Sequence, residues 1–476
     1  VAASIHGKRG YAMVDGNLEQ DPWIKIKSYL DSGEYGYFGC TVMPGPQLRQ
    51  AITITLRIRE SYPRVKIIWG GYFASNQYKS VLSGDAVDVI VNGPGDRTFP
   101  LLLDAMDYDT GWRNLPNLIY RSNGAIKMTA RDELYDQDTL PDLPYETLNE
   151  FYPIGRYLGK TCLGSKTIAY HSSFGCPFTC SFCAVVPIYN ARWKGKSAEK
   201  IYGDIRLLKE KYGGNAIEFH DNNFFVSEKR TVAFSHLMLN EGMKWWGEGR
   251  IDTLQKYSDD SLRVMRDSGC HMIFFGAESG NDAVLREMDK GGTQSGVQIL
   301  EFAERMKKTG IIPEYSFVLG TPAPTEQEVF SRIRQEVEFI RKVKQVNPDT
   351  EIIIYLYSPV PTEGSEMFEE VKRTGFRFPE KLQDWLEPAW EKFDLRKNPL
   401  TPWLKPYMVD YINDFETVLN GYYPTYSDFK LTHFQRRAIR SISKLRYNTG
   451  FYARPFEIKA LQKFWLRYRQ PEWEGF

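Results

Sequence analysis

The chain has 476 residues, 42% hydrophobic and 25% charged. That is too long for one ordinary core, so two or three domains are expected, and a formal net charge of +1 gives no global field favouring nucleic acid or a membrane. No run of 18 apolar residues predicts a transmembrane helix and no secretory signal is visible after Val1. Six cysteines, three within eight residues, suit a metal site in a reducing cytoplasm better than a disulfide framework.

Residues 1–130 read as alternating strand and helix. Tyr11–Asp15, Tyr37–Val42, Val65–Trp69 and Val87–Val91 are apolar runs of strand length, and Gln47–Glu60 reads as helix. Glycine turns follow the later strands, at Gly70-Gly71 and at Gly93-Pro94-Gly95-Asp96. This predicts a doubly wound, Rossmann-like α/β domain with its ligand outside the C-terminal strand ends. One central strand is missing, and because Val1–Gly10 reads as the end of a helix it is expected upstream. Residues 131–165 read as a linker, with Pro- and Asp-rich Asp138–Pro144.

Residues 166–365 repeat a strand–loop–helix unit. The predicted strands are Thr167–Ser172, Ala216–His220, Lys244–Gly249, His271–Gly276, Glu314–Leu319 and Glu351–Tyr357. Ser197 caps one intervening helix, and Thr325 with Glu328 forms a capping box before another. Six such units predict a partial (β/α)6 barrel with its chemistry at the C-terminal strand ends. Residues 366–476 read as a helical, aromatic-rich C-terminal domain. Between Lys430 and Gln470 it carries eleven Lys or Arg and one acid. That is either a solvated helical cap or a contact surface for an anionic substrate, partner or peripheral membrane surface.

Cys176, Cys180 and Cys183 follow the first barrel strand with spacing C-x3-C-x2-C. A structural zinc site wants four ligands. Three thiols in a short loop with no obvious fourth ligand instead suit a cubane cluster with one iron left open. On these residues the chain resembles the radical S-adenosylmethionine (SAM) superfamily, including the aromatic Phe182 before the last cysteine. The resemblance implies a [4Fe–4S] cluster whose open iron binds SAM, cleaved to a 5′-deoxyadenosyl radical. It also places cofactor contacts at Asp221 and Asn222 after the second strand, Arg250 after the third, Glu278 after the fourth and Gly320 after the fifth. Asp252 and Lys290-Gly291 match recurring family positions too. Asp221-Asn222-Asn223 departs from the family's common Gly-Gly-Glu.

A Rossmann-like domain before such a barrel resembles the cobalamin-binding subclass, over the chain up to about residue 365. Thr41, Gly70, Gly71, Gly93 and Gly95 match that subclass by position, with Pro94 and Asp96 as departures from its usual last turn. The chain has no Asp-x-His-x-x-Gly, so the histidine that ligates cobalt from below in many cobalamin proteins is not evident. The resemblance implies transfer of a methyl group from SAM, through cobalamin, to an unactivated carbon of a small-molecule or protein substrate. An electron donor such as flavodoxin or ferredoxin and anaerobic working conditions follow from it.

The runner-up keeps these cofactors but oxidises or cyclises its substrate, as the anaerobic magnesium-protoporphyrin monomethyl ester cyclases do. A cobalamin or redox sensor is the alternative from another class. Transfer-RNA methylthiotransferases need three more cluster cysteines in the N-terminal domain, where only Cys40 stands, so no nucleic-acid partner is predicted. His171, His220, Tyr315, Tyr355 and Tyr357 read as barrel-facing polar residues, of which His171, Tyr355 and Tyr357 are the candidates to orient substrate or move a proton. Cys40, Cys162 and Cys270 read as buried small hydrophobes, with Cys162, just before the first barrel strand, also placed to lie near the site.

Overall fold

The computed structural model describes all residues except 291–292, 360–365, 392–399, 425, 427–430 and 467–476. In the N-terminal unit β1 (Tyr37–Thr41), β2 (Lys66–Gly70) and β3 (Val89–Val91) are parallel neighbours. Their side chains alternate between two cores. Ile67, Trp69 and Ile90 meet Leu48, Ile52 and Phe73 of the helices Pro46–Ser61 and Gly71–Asn76. Ile68, Val89 and Val91 meet Leu102 and Leu103 of the helix Gly95–Asp107. Burial on both faces is why these strands read as continuous apolar runs.

Three features differ from the sequence expectation. The strand order runs β1-β2-β3-β4-β5, without the reversal of winding that a doubly wound sheet requires, although helices cover both faces. β4 (Leu118–Ser122) and β5 (Ala125–Met128) extend the sheet antiparallel as a hairpin that the sequence reading missed. Its turn is Asn123-Gly124 with φ of 50° and 76°, an Asn-Gly pair of the kind that two-residue hairpins favour. Tyr11–Asp15 is not a strand. The linker holds it instead: Asp15 N–H donates to Tyr152 Oη at 3.1 Å, and Asp15 Oδ2 accepts from Tyr157 Oη at 2.6 Å.

The second unit is the six-stranded parallel sheet expected from the sequence. β6 (Thr167–Tyr170), β9 (Ala216–Phe219), β10 (Lys244–Gly249), β11 (Cys270–Glu278), β12 (Ile312–Leu319) and β13 (Glu351–Leu356) lie in chain order. Between β6 and β9 a short antiparallel ribbon of β7 (Ser173–Gly175) and β8 (Trp193–Gly195) intervenes. The strands' outer face is packed shut against the helices by Ile217, Phe219, Trp245, Ile273, Phe275 and Phe317. Tyr315 belongs to this outer face, donating its hydroxyl to Ile299 O, so it does not face the barrel interior as expected. The strand register explains this, because residues of opposite parity point to opposite faces. Glu218, Trp246, Glu248, Phe274, Glu314 and Tyr355, of inward parity, keep partial exposure. The interior of the barrel is therefore open.

The C-terminal region joins the two units. Trp385 packs edge-on to Phe73 with ring centroids 4.9 Å apart and donates to Ser80 Oγ, both in the N-terminal unit. Trp403 donates to Gly320 O at the mouth of the barrel. The helices Pro406–Tyr422 and His433–Thr449 then pack on each other, and the first also packs on the barrel helix Glu326–Val346.

Trp245 sits fully buried among Phe219, Phe224, Phe225 and Phe234 and donates to Ser268 Oγ. Trp245→Ala is expected to destabilise the barrel by about 3–5 kcal/mol, read as a lowered midpoint in denaturant.

Candidate active site at the open end of the barrel

The cysteine loop is held from below by one carboxylate. Asp221, just after β9 and fully buried, accepts from Ser172 N–H and Ser172 Oγ at 3.0 Å each and from Ser173 Oγ. Arg230 adds a 2.7 Å donation to Ser172 Oγ. These bonds fasten the exit of β6 to the exit of β9 and set the ribbon from which the loop departs. Gly175, the last residue of β7, has φ of 72°, and a side chain there would strike Arg192 O and the Tyr189 ring. Cys176 is the next residue. Asp221 therefore spends its carboxylate on the loop, Asn222 is exposed, and Asn223 is buried like Asp221.

Cys180 is buried and Cys176 and Cys183 are half-buried, and burial pushes the Cys176 thiol up and that of Cys183 up to about 12. Arg250 brings a cation to them: Nη1 stands 3.0 Å from Cys180 Sγ, and the guanidinium stacks 3.8 Å over the Phe178 ring. Asp252 fixes it with two hydrogen bonds of 2.9 and 2.7 Å. Among the described residues no three ligating side chains converge tightly enough for a single metal ion. A cubane asks for something else, since each thiol of its triplet serves a different iron. Asn223 is fully buried beside Cys176, yet its side-chain nitrogen and oxygen have no geometrically sound partner. Such orphaned atoms are costly unless a ligand satisfies them. The thiols, the adjacent guanidinium and the orphaned amide together fit a cluster with a polar small molecule on it.

Along the rim, Glu278 ends β11 across a register shift with φ of 63°. A non-glycine residue in that region is held there by its surroundings. Lys290 does this, donating 2.8 Å to Glu278 Oε1 and 2.7 Å to Gly276 O. Gly291 lies outside the described residues. Phe182 packs partly buried against the barrel core. Gly320 follows β12 with Leu404 filling the space beside it, so packing of the C-terminal segment already demands a glycine there. Tyr357 is buried with its ring 6.0 Å from Trp403, whereas Tyr355 and His171 keep exposure on the open side.

The glycine turns of the N-terminal unit meet this loop. Asn76 Nδ2 donates to Ala184 O at 3.1 Å, Tyr72 lies beside Cys183, and Arg131 donates to Ile188 O at 3.0 Å. Gly71 has φ of 78°, and a side chain there would collide with Thr41 Oγ1. Gly93 stands near Ile188 of the cysteine segment, and Gly95 opens the helix Gly95–Asp107. Ser75 Oγ, Asn76 Oδ1 and Asn92 Oδ1 are buried here without partners. Close-approach turns and orphaned polar atoms at these strand ends fit a large amide-bearing ligand between the two units.

In the barrel interior the histidines expected from the sequence are joined by carboxylates that it does not single out. His220 Nε2 stands 3.7 Å from Glu218 Oε2, and Nδ1 stands 4.0 Å from Glu248 Oε1. The His171 ring is 6.3 Å from it and the Trp246 ring 5.6 Å. Trp246 Nε1 donates to Glu314 at 2.9 Å. Glu218 and its hydrogen bond raise the His220 pKa, while desolvation lifts Glu248 to about 7. The signal was present in β10, where Trp246 and Glu248 share a parity that sets them against Trp245 and Gly247. Cys162 lies among Glu218, Glu314 and Glu351, and burial with those charges pushes its thiol up to about 12.

Comparison with known proteins agrees with this geometry. The model of the radical SAM superfamily matches residues 170–335. An uncharacterized methyltransferase of Pyrococcus horikoshii is 25% identical over 338 residues, covering 70% of this chain and 71% of its own. The cobalamin-dependent radical SAM enzyme OxsB, solved with aqua-cobalamin and SAM, superposes with a TM-score of 0.63 at 15% identity, over 93% of this chain and 68% of its own. The radical SAM methyltransferase TsrM of Kitasatospora setae, solved with cobalamin and a [4Fe–4S] cluster, gives 0.58 at 15% identity, over 75% of this chain and 67% of its own. Those two likenesses show the fold.

Asp221→Ala leaves the donors of Ser172 and Ser173 buried without their acceptor, and should cost about 3 kcal/mol, with lowered iron retention during purification as the second readout. Glu248 is an acid whose folded pKa is raised, so its contribution to stability is full below the unfolded value and lost as pH rises through about 7. Glu248→Gln is therefore expected to match the parent in acid and exceed it by about 1–3 kcal/mol in mild alkali, as measured by denaturant melts across pH.

Proposed function

The chain belongs to the radical SAM superfamily, and from that premise we propose that it is a cobalamin-dependent methyltransferase acting on an unactivated carbon. The observation that carries this is the cysteine triplet at the mouth of a partial parallel barrel, faced by the glycine turns of a second α/β unit. When bound, the cluster and SAM supply a 5′-deoxyadenosyl radical, and cobalamin carries the methyl group. An unactivated C–H bond is not acidic, so a radical rather than a base must open it; the protein's work is binding, orientation and exclusion of water.

Cys176, Cys180 and Cys183 hold the cluster, and Arg250 places positive charge against the Cys180 sulfur. Asn223 supplies a donor and an acceptor to SAM, and Glu278, oriented by Lys290, takes the rim of the same site. Thr41, Gly70, Gly71, Gly93 and Gly95 form the cobalamin side, with Ser75, Asn76 and Asn92 turning polar atoms to it. The substrate enters the barrel interior, where Glu218, His220 and Glu248 orient its polar groups and Trp246 and Phe274 its flat or apolar ones. His171 and Tyr355 line the same space. The electron comes from a small reductant such as flavodoxin or ferredoxin.

Anaerobic purification followed by metal analysis tests this reading. About four irons and one cobalt per chain are expected. Each of Cys176→Ala, Cys180→Ala and Cys183→Ala should lose most of the iron and abolish SAM cleavage, and full activity in any one removes that cysteine from the cluster. Iron without cobalt after reconstitution with cobalamin overturns the methyl-transfer reading and favours radical oxidation or cyclisation.

A further inference from the structure

The helix His433–Thr449 presents an outward face that is largely exposed. Its inward residues are Ile439, Ser443 and Tyr447, all buried. Phe434 is 72% exposed, Ile442 40% and Leu445 73%, and with Ala438 and Ser441 they recur at three- and four-residue spacing along one stripe. That is the reverse of a soluble surface helix, which turns its polar side outward. Exposed Arg437, Arg440 and Lys444 flank the stripe on one side.

Charge is as uneven as the apolar surface. Across residues 430–470 the eleven Lys or Arg face a single acid, Glu457, although the whole chain is near neutral. That acid is already taken, since Arg446 pairs with it at 3.0 Å. Arg437 and Lys444 have no ion-pair partner among the described residues. Three more exposed aromatics follow, with Phe451 59%, Phe456 68% and Phe464 71% exposed. No helix among the described residues is long and apolar enough to cross a membrane. An outward apolar stripe with a basic flank is the pattern of a helix lying in the plane of an anionic lipid surface, the rings in the acyl boundary and the cations at the headgroups.

We propose that this helix, with the aromatic segment after it, docks the protein on an anionic lipid bilayer. A protein partner is the less suited occupant, because the cations lie beside the apolar stripe and no acid among the described residues pairs with Arg437 or Lys444. Docking is independent of the cluster chemistry. It does bring the barrel to a surface where apolar substrates concentrate.

The test is co-sedimentation of the full-length, cluster-loaded protein with vesicles of phosphatidylcholine alone or mixed with phosphatidylglycerol. Binding is expected to the mixed vesicles only and to fall steeply with added salt. Arg437→Glu and Lys444→Glu should each weaken it by about fivefold or more. Phe434→Ser with Leu445→Ser should abolish it, with circular dichroism and iron content unchanged. The exposed charge variants keep the test readable if the apolar pair misfolds. No binding to phosphatidylglycerol vesicles, or binding that none of these variants alters, overturns the proposal. So does a dimer in sedimentation velocity that the apolar variant dissociates while vesicles stay unbound, which assigns the face to a second copy of the chain.

Discussion

The fully buried Asp221 carboxylate is the constraint on which the site depends. A buried charge is tolerated only when it is well satisfied, and here Ser172 and Ser173 give it three kinds of donor while Arg230 stands close by. The bond set forces the first barrel strand to end where the second one does. From that corner the ribbon turns, Gly175 makes its left-handed step, and Cys176 is delivered to the mouth of the barrel. The placement of the thiols thus follows from a hydrogen-bonding requirement at Ser172 and Ser173, four and three residues before Cys176.

Around that corner the two units and the C-terminal region are interdependent. Asn76 reaches from the N-terminal unit, and Arg131 from the start of the linker, to backbone carbonyls of the cysteine segment. Trp385 anchors the C-terminal region to the N-terminal unit, and Trp403 anchors it at Gly320. The space between the units is therefore framed on several sides, which suits chemistry that must exclude water and oxygen. The barrel interior has a different character. Its outer face is closed by aliphatic and aromatic packing, while its inner face stays open and polar.

Much of this was legible in the sequence because it rests on local pattern. The six barrel strands follow from apolar runs between helical stretches, and the cysteine-bearing loop after the first of them from the position of the three cysteines. What was not legible depends on partners distant in the chain. Tyr11–Asp15 has strand composition but finds Tyr152 and Tyr157 instead of a sheet edge. Tyr315 is polar yet faces the helices, because parity along β12 decides its side. Asp221 reads as a cofactor contact by position, and only the fold shows it committed to Ser172 and Ser173. The acidic part of the lining was hidden because Glu248 lies on a different strand from Glu218 and His220 and meets them only when the sheet forms. The Asn123-Gly124 hairpin was written locally and overlooked.

The central claim is that SAM binds directly to a cluster held by Cys176, Cys180 and Cys183. The electron paramagnetic resonance spectrum of the anaerobically reduced protein, recorded before and after adding SAM, tests it most directly. The account predicts a [4Fe–4S] signal in the free protein that changes shape and g-values when SAM is added, because the open iron gains ligands. A spectrum that SAM leaves unchanged, or a protein that takes up no such cluster, would contradict it.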